Sequence, residues 1–218
     1  MGKIKDIDIR KAFISRNLEF FKAHTFVNEM GVNSKNIVDL AALVFDKNIF
    51  YGFEIKSEAD SLKRLPKQLS TYSTFFHIVY VVGHCKHTES ILTFLDTHTF
   101  THSMGYIEVD SDLNFTELRK AKYVQPRFDS FIRNLDQEEL SILCESKGQF
   151  LGWETKSILV DKLKRIVTMD EIYQHMHNKI DRYFLKVCPK CGSKLYYNKK
   201  NRTGHKDSFC YECGSKII

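Results

Sequence analysis

The sequence predicts an α/β fold, followed by a small helical region and a short cysteine-bearing tail. Strand-like and helix-like segments alternate over residues 1–125, residues 126–183 carry only helical periodicity, and four cysteines are grouped in residues 184–218. The 218 residues are 43% hydrophobic and 28% charged, with 10 Gly and 3 Pro, which excludes disordered and collagen-like classes. We therefore expect one domain in each of the three ranges.

The elements of the first range follow from their periodicity. Apolar residues recur at helical spacing after Asp8, whereas runs rich in β-branched and aromatic residues, bounded by polar corners, predict strands. Pro66 either starts a helix or kinks one. The predicted elements are a helix at 8–21, a hairpin of strands at 37–45 and 48–55, a helical stretch at 57–76, a strand at 77–82, a helix at 86–96, and a hairpin of strands at 106–109 and 115–120.

The second range predicts helices that are capped by side chains. Asp136 and Glu139 are spaced as a capping box, and Thr168 and Glu171 repeat that spacing. These residues indicate packing rather than chemistry, so the range is either a small domain or a cover for the sheet.

The tail predicts a zinc site. Cys188 and Cys191 form one CxxC pair, Cys210 and Cys213 form another, and 18 residues separate the pairs. Four thiolates at this spacing can close a tetrahedron around Zn²⁺, and the alternative of two disulfides is disfavoured in the cytosol. The segment resembles a zinc ribbon, which implies a β-hairpin module that grips nucleic acid or protein.

The tail also carries the net charge. The chain has a formal charge of +6, and residues 184–218 hold eight Lys or Arg against two acids, so the rest of the chain is neutral. Basic residues confined to a tail favour a polyanion such as nucleic acid as the partner, although a lysine-rich tail also serves solubility alone.

Acidic and basic residues at two predicted strands indicate a second site. Strand periodicity puts Glu54 and Lys56 on one face and Ile55 on the other. Asp39 lies within an apolar run, where a charge is costly to bury without a partner or a metal. Two carboxylates and a backbone carbonyl, that of Ile55, suit Mg²⁺ or Mn²⁺, and a lysine beside the ion can position water and offset charge on a phosphate. Glu29, on the preceding helix or loop, is either a further ligand or a solvated acid.

Asp39, Glu54 and Lys56 resemble the signature of the PD-(D/E)XK nuclease superfamily, an acid on one strand and acid-x-Lys on the next. The usual proline before the first acid is replaced by Val38. The resemblance covers about residues 8–110 and implies a restriction-endonuclease-like αβββαβ core.

A second motif supports this resemblance. Gln68 and Tyr72 match the Gln-x-x-x-Tyr motif of the RecB-like branch, and the surrounding sequence looks like that of small bacterial and phage proteins of the superfamily. The motif implies that both side chains position substrate from one helical face. Arg64 is interpreted as a phosphate contact, with a solvated helix face as the alternative.

Together these observations predict a Mg²⁺- or Mn²⁺-dependent deoxyribonuclease with catalytic residues Asp39, Glu54 and Lys56 and a structural Zn²⁺ in the tail. The alternative is a catalytically inactive nucleic-acid-binding or adaptor protein on the same fold. The expected partner is DNA, with RNA left open and no membrane; the sequence does not predict the oligomeric state and leaves a dimer open. The opening residues carry both charge signs and no apolar run reaches about 20 residues, so we expect a cytoplasmic protein.

Overall fold

The computed structural model describes residues 3–21, 25–32, 36–44, 47–149 and 154–175 and four two-residue strands in the tail. The elements before the tail alternate between helix and strand and then become wholly helical. In chain order they are α1 (Asp6–Phe21), β1 (Thr25–Gly31), β2 (Ile37–Val44), β3 (Ile49–Lys56), α2 (Leu65–Phe75), β4 (Ile78–His84), α3 (Thr88–Thr97), β5 (Gly105–Val109), β6 (Phe115–Arg119), α4 (Phe128–Asn134), α5 (Gln137–Ser146) and α6 (Lys156–Ile166). Residues 169–175 are also helical.

One six-stranded sheet organises these elements, with the strands in the order β1-β2-β3-β4-β5-β6. The pairs β1-β2, β2-β3 and β5-β6 are antiparallel, whereas β3-β4 and β4-β5 are parallel. Because β2 is antiparallel to β3, the first residues of β2 lie beside the last residues of β3. The α/β class predicted from the sequence is confirmed.

The two faces of the sheet are covered by different helices. Helix α1 buries Ile9, Phe13 and Ile14 against one face. Helices α2 and α3 cover the opposite face, where side chains such as Leu69 and Ile91 join the larger core. Burial of apolar surface on both faces is expected for a sheet with central parallel strands.

The helical region packs into that larger core. Buried side chains of α4, α5 and α6, including Phe131, Leu140 and Leu163, belong to the same hydrophobic cluster as the sheet and α2. The predicted capping box of Asp136 and Glu139 is confirmed, with reciprocal hydrogen bonds of 2.9 and 2.6 Å. The region covers the sheet rather than enclosing a core of its own.

The structure contains one strand in the first range that the sequence does not predict. Residues 25–31 form β1, which pairs only with β2 and so lies at an edge of the sheet. Edge strands carry polar residues more freely than central ones, so their hydrophobic alternation is weak. Glu29 therefore lies on a strand rather than on a helix or loop, with a left-handed backbone (φ 51°).

The tail contributes two short antiparallel strand pairs. Lys186–Val187 (β7) pairs with Lys194–Leu195 (β8), and Ser208–Phe209 (β9) pairs with Lys216–Ile217 (β10). One CxxC motif lies in the sequence between the strands of each pair. The four cysteines, Cys188, Cys191, Cys210 and Cys213, lie outside the described residues.

Candidate functional site

The predicted acids and lysine meet at one end of the sheet. Strand β3 ends at Lys56, which is opposite Gly83 near the end of β4. Ladder pairing between β2 and β3 reaches Leu40 and Phe53, one residue short of Asp39 and Glu54. The two acids therefore lie side by side on adjacent strands.

Glu54 and Lys56 form a buried ion pair. The Lys56 Nζ lies 2.5 Å from the Glu54 Oε1, with side-chain exposures of 5% and 0%. Both residues lie on the α2 face of the sheet, whereas Ile55 packs into the core under α1. The alternation predicted for this tripeptide is confirmed. A fully buried carboxylate needs such a partner because its desolvation is costly.

Two side chains of helix α2 form hydrogen bonds with this ion pair. Gln68 Oε1 accepts a long hydrogen bond of 3.4 Å from Lys56 Nζ, and one turn later the Tyr72 hydroxyl donates to Glu54 Oε2 at 2.7 Å. The same hydroxyl lies 2.8 Å from the carbonyl oxygen of Ile37. Tyr72 is fully buried, and burial together with the adjacent Glu54 raises the pKa of its hydroxyl. Gln68 and Tyr72 thus share one helical face, as predicted, and Tyr72 contacts Glu54 directly.

Asp39 lies close to two other acidic side chains, and its pKa is raised. Its Oδ2 accepts the backbone N–H of Ile55 at 2.8 Å, which continues the β2-β3 pairing through a side chain. Burial, followed by the negative charges of Glu54 and Asp6, raises the pKa of Asp39 to about 8. The N–H of Ile55 and the charge of Lys56 act in the opposite direction but do not cancel the effect.

Two residues of α1 complete the surroundings of Asp39, and the sequence does not single out either. Arg10 is 5% exposed and bonds to Asp6 at 2.6 Å (Nη2 to Oδ2), while its Nη1 lies 3.7 Å from Glu29 Oε1. Burial raises the pKa of Asp6, against the lowering effect of Arg10. The signal in the sequence is the i,i+4 spacing of Asp6 and Arg10, which is common on solvated helix faces.

The remaining predicted positions lie around this centre. Arg64 is exposed at the residue before α2 and has no ion pair within the part of the chain that is described. Residues Cys85–His87 form a short 3₁₀ turn directly after β4. Its His87 Nε2 lies 3.1 Å from the carbonyl oxygen of Ser57, so this turn packs beside the end of β3.

Two acids of the site supply oxygen atoms of the kind that a divalent cation binds. Asp39 and Glu54 carry hard oxygen atoms on adjacent strands, and burial, ahead of the negative charges of Glu54 and Asp6, raises the pKa of Asp39. Among the described residues, however, no three His, Cys, Asp or Glu side chains are grouped closely enough to hold a metal by themselves. A cation here would need the Ile55 carbonyl and water as well.

Comparison with known proteins identifies one matching family. A family profile described as Bacteriophage P4 protein cII matches residues 6–201, which include the whole sheet and the acid cluster. No curated protein and no solved structure matches the chain. Within the described residues, no helix is both long and apolar enough to cross a membrane.

Proposed function

The chain belongs to the bacteriophage P4 cII protein family, and for this member we propose the function of a metal-dependent DNA nuclease. One observation carries the proposal: the buried Lys56 ammonium pairs with Glu54 directly beside Asp39, whose pKa is raised to about 8 by burial and neighbouring acids. A structural ion pair needs one acid and one base. The additional acid, the partly buried Asp39, adds an electrostatic cost beside the pair, which favours a catalytic interpretation.

In this proposal Asp39, Glu54 and the Ile55 carbonyl hold Mg²⁺ or Mn²⁺. The ion would supply Lewis-acid chemistry by polarising a phosphate oxygen and acidifying water. Lys56 directs its ammonium group toward the attacking water or the phosphate and offsets developing negative charge. Gln68 bonds to Lys56 and Tyr72 bonds to Glu54, so α2 sets the orientation of both groups. The exposed Arg64 is available to a phosphate along the strand.

The tail would provide additional grip on DNA. Cys188, Cys191, Cys210 and Cys213 form a structural Zn²⁺ site in this proposal, giving a zinc ribbon beyond the nuclease core. The short antiparallel strands before and after each CxxC motif support it, because a zinc ribbon presents paired cysteines from hairpins. The basic residues of the tail would contact phosphates.

A second candidate is a DNA-binding or adaptor protein that keeps the fold without cleaving. The hydrogen bonds of Glu54 favour it, because Oε1 is occupied by Lys56 and Oε2 by Tyr72. A metal would have to displace at least one of these contacts. Steep salt dependence of binding would separate a DNA-binding protein from a protein adaptor.

The decisive experiment is a cleavage assay. Single-stranded and duplex DNA, each in circular and linear form, is incubated with the protein and Mg²⁺ or Mn²⁺, beside Glu54→Ala. Cleavage by the wild type alone supports the proposal, and use of circular substrates separates endonuclease from exonuclease activity. If the wild type and Glu54→Ala both bind DNA and neither cleaves it, the second candidate, a protein that binds without cleaving, is supported instead.

The contribution of the tail is tested separately. We expect Cys188→Ser to weaken DNA binding by about tenfold or more, because loss of a ligand from a structural zinc site unfolds the module that depends on it. Circular dichroism should show the α/β core intact, and Cys144→Ser, a change at a buried free thiol, is the matched control. Unchanged DNA affinity in Cys188→Ser would show that the tail does not contribute to DNA binding.

A further inference from the structure

We infer that the candidate site takes a single divalent cation, because the guanidinium group of Arg10 already serves the acids that a second cation would need. This inference rests on the proposed function for its metal chemistry and assigns a role to a helix α1 residue outside the predicted motifs. Arg10 is a positioning residue in this account, since it acts through Asp6 and Glu29.

Four carboxylates surround the site. Glu29 on β1 lies between the paired positions Asn28 and Met30, whose partners Leu40 and Val38 flank Asp39 on β2. Glu54 follows on β3. Three acids thus lie at corresponding positions of three adjacent strands, and Asp6 of α1 is close enough to raise the pKa of Asp39.

Two cationic side chains are built into this group of acids. Lys56 pairs with Glu54, and Arg10 contacts both Asp6 and Glu29. Arg10 is buried, so its charge is poorly screened and its contacts hold the two carboxylates in place. Asp60 also influences Asp6, but its carboxylate already accepts two 2.7 Å hydrogen bonds from Ser57.

Asp39 differs from the other three acids because it has no ion pair within the described part of the chain. Its one hydrogen bond comes from the neutral N–H group of Ile55. A second divalent cation bound through Asp6 or Glu29 would have to displace Arg10 from them.

The number of bound Mn²⁺ ions tests this inference without any need for cleavage. Zinc-loaded full-length protein is titrated with Mn²⁺ and the free ion is followed by electron paramagnetic resonance. We expect one Mn²⁺ per chain, weakened at least tenfold in Asp39→Asn. Two bound ions in the wild type, or none, would overturn the inference.

Variants then test the role of Arg10. We expect Glu29→Gln and Asp6→Asn to change the Mn²⁺ affinity by less than about threefold, because Arg10 rather than the metal holds these acids. We expect Arg10→Met to bind a second Mn²⁺ and Arg10→Lys, which keeps the charge, to bind one. A tenfold loss in Glu29→Gln or Asp6→Asn would overturn the inference even if Arg10→Met fails to fold.

These outcomes are independent of the proposed nuclease function. One Mn²⁺ bound through Asp39 with no cleavage of any DNA would refute the enzyme and leave the single-cation site intact. Conversely, cleavage that requires two Mn²⁺ ions would support the enzyme and refute the role of Arg10.

Discussion

Two polar clusters lie at opposite ends of strands β3 and β4, and they differ in charge and in how well their contacts are matched. The charged cluster consists of Asp39, Glu54, Lys56, Gln68 and Tyr72, near the pairing of Lys56 with Gly83. The second cluster, here named the His77 cluster, consists of His77, Gln125 and Tyr173 and lies where Tyr51 pairs with Ile78.

The His77 cluster is neutral and its contacts are matched. His77 Nδ1 accepts the backbone N–H of Phe50 at 3.1 Å, so the neutral ring carries its hydrogen on Nε2 and donates it to the Tyr173 hydroxyl at 2.7 Å. Burial lowers the pKa of His77 to about 4, and stacking on Phe50 and contact with Tyr123 enclose the ring. Such a cluster fastens the helical region to the sheet.

The charged cluster has the opposite character. It places two acids, the fully buried Glu54 and the partly buried Asp39, beside one lysine and raises the pKa of Asp39, at a cost to folding. A protein can build a neutral buried network on the same sheet, as the His77 cluster shows. The excess of acid at the other end is the feature on which the proposed function rests.

The largest expected effect concerns the ion pair of the charged cluster. We expect Lys56→Gln to lower DNA cleavage by about 10² to 10⁴-fold, because the charge that assists the water and the phosphate is lost while an amide donor to Glu54 remains. Initial rates with Mn²⁺ measure the effect. The matched control is Lys156→Gln in the similar tripeptide Glu154-Thr155-Lys156, which starts α6 rather than ending a strand. An equal loss of cleavage rate in both variants would show that Lys56 has no special role in the reaction.

The sequence predicts the charged cluster because its geometry is local. Alternation along β3 places Glu54 and Lys56 on one face, and the i,i+4 spacing on α2 places Gln68 and Tyr72 together. Only the position of Asp39 requires the pairing of two strands, which are neighbours in the chain. Periodicity therefore predicts which side chains share a face, whereas the resemblance is what singles out Gln68 and Tyr72 as part of the site.

The parts that the sequence does not predict depend on distant contacts. Arg10 reaches Glu29 from a helix whose polar face has the pattern of a solvated one, and β1 is an edge strand with weak alternation. His77 and Tyr173 are 96 residues apart, so no local pattern relates them. Periodicity identifies which face of an element is polar but not which residues lie against it.

The second prediction uses pH, which should act on the two clusters with opposite sign. Asp39 has a folded pKa of about 8, above its unfolded value of about 3.9, so the folded protein binds this proton first and gains stability as pH falls from about 9 to about 4. His77 has a folded pKa of about 4, below its unfolded value of about 6.5, so its contribution is lost as pH falls from 6.5 to 4. The two contributions are on the order of 5 and 3 kcal/mol, respectively.

Urea unfolding without added Mg²⁺ or Mn²⁺ measures both contributions. In the wild type the two contributions oppose each other between about pH 6.5 and 4. Asp39→Asn should therefore show no gain between about pH 9 and 6.5 and a loss of stability below about pH 6.5. His77→Phe should keep gaining stability down to about pH 4, because protonation of Nδ1 can no longer displace the Phe50 N–H. If either variant abolished both pH-dependent changes in unfolding free energy, the two clusters would not titrate independently with opposite sign.

The smallest expected effect comes from removing one hydroxyl from each cluster. Tyr72→Phe and Tyr173→Phe each delete a buried hydrogen-bonding group while keeping the ring, so each should cost about 1 to 2 kcal/mol of unfolding free energy. Only Tyr72→Phe should also lower cleavage, by about tenfold, because its hydroxyl orients Glu54.

The ratio of the two effects is the informative quantity. Unfolding free energies and cleavage rates are measured for both variants at the same pH and Mn²⁺ concentration. If Tyr173→Phe lowers cleavage as much as Tyr72→Phe does at equal loss of stability, cleavage follows stability alone and the contact between Tyr72 and Glu54 has no separate role. If cleavage falls only in Tyr72→Phe, orientation of Glu54 limits the reaction, since the two variants then differ only in which cluster lost its hydroxyl.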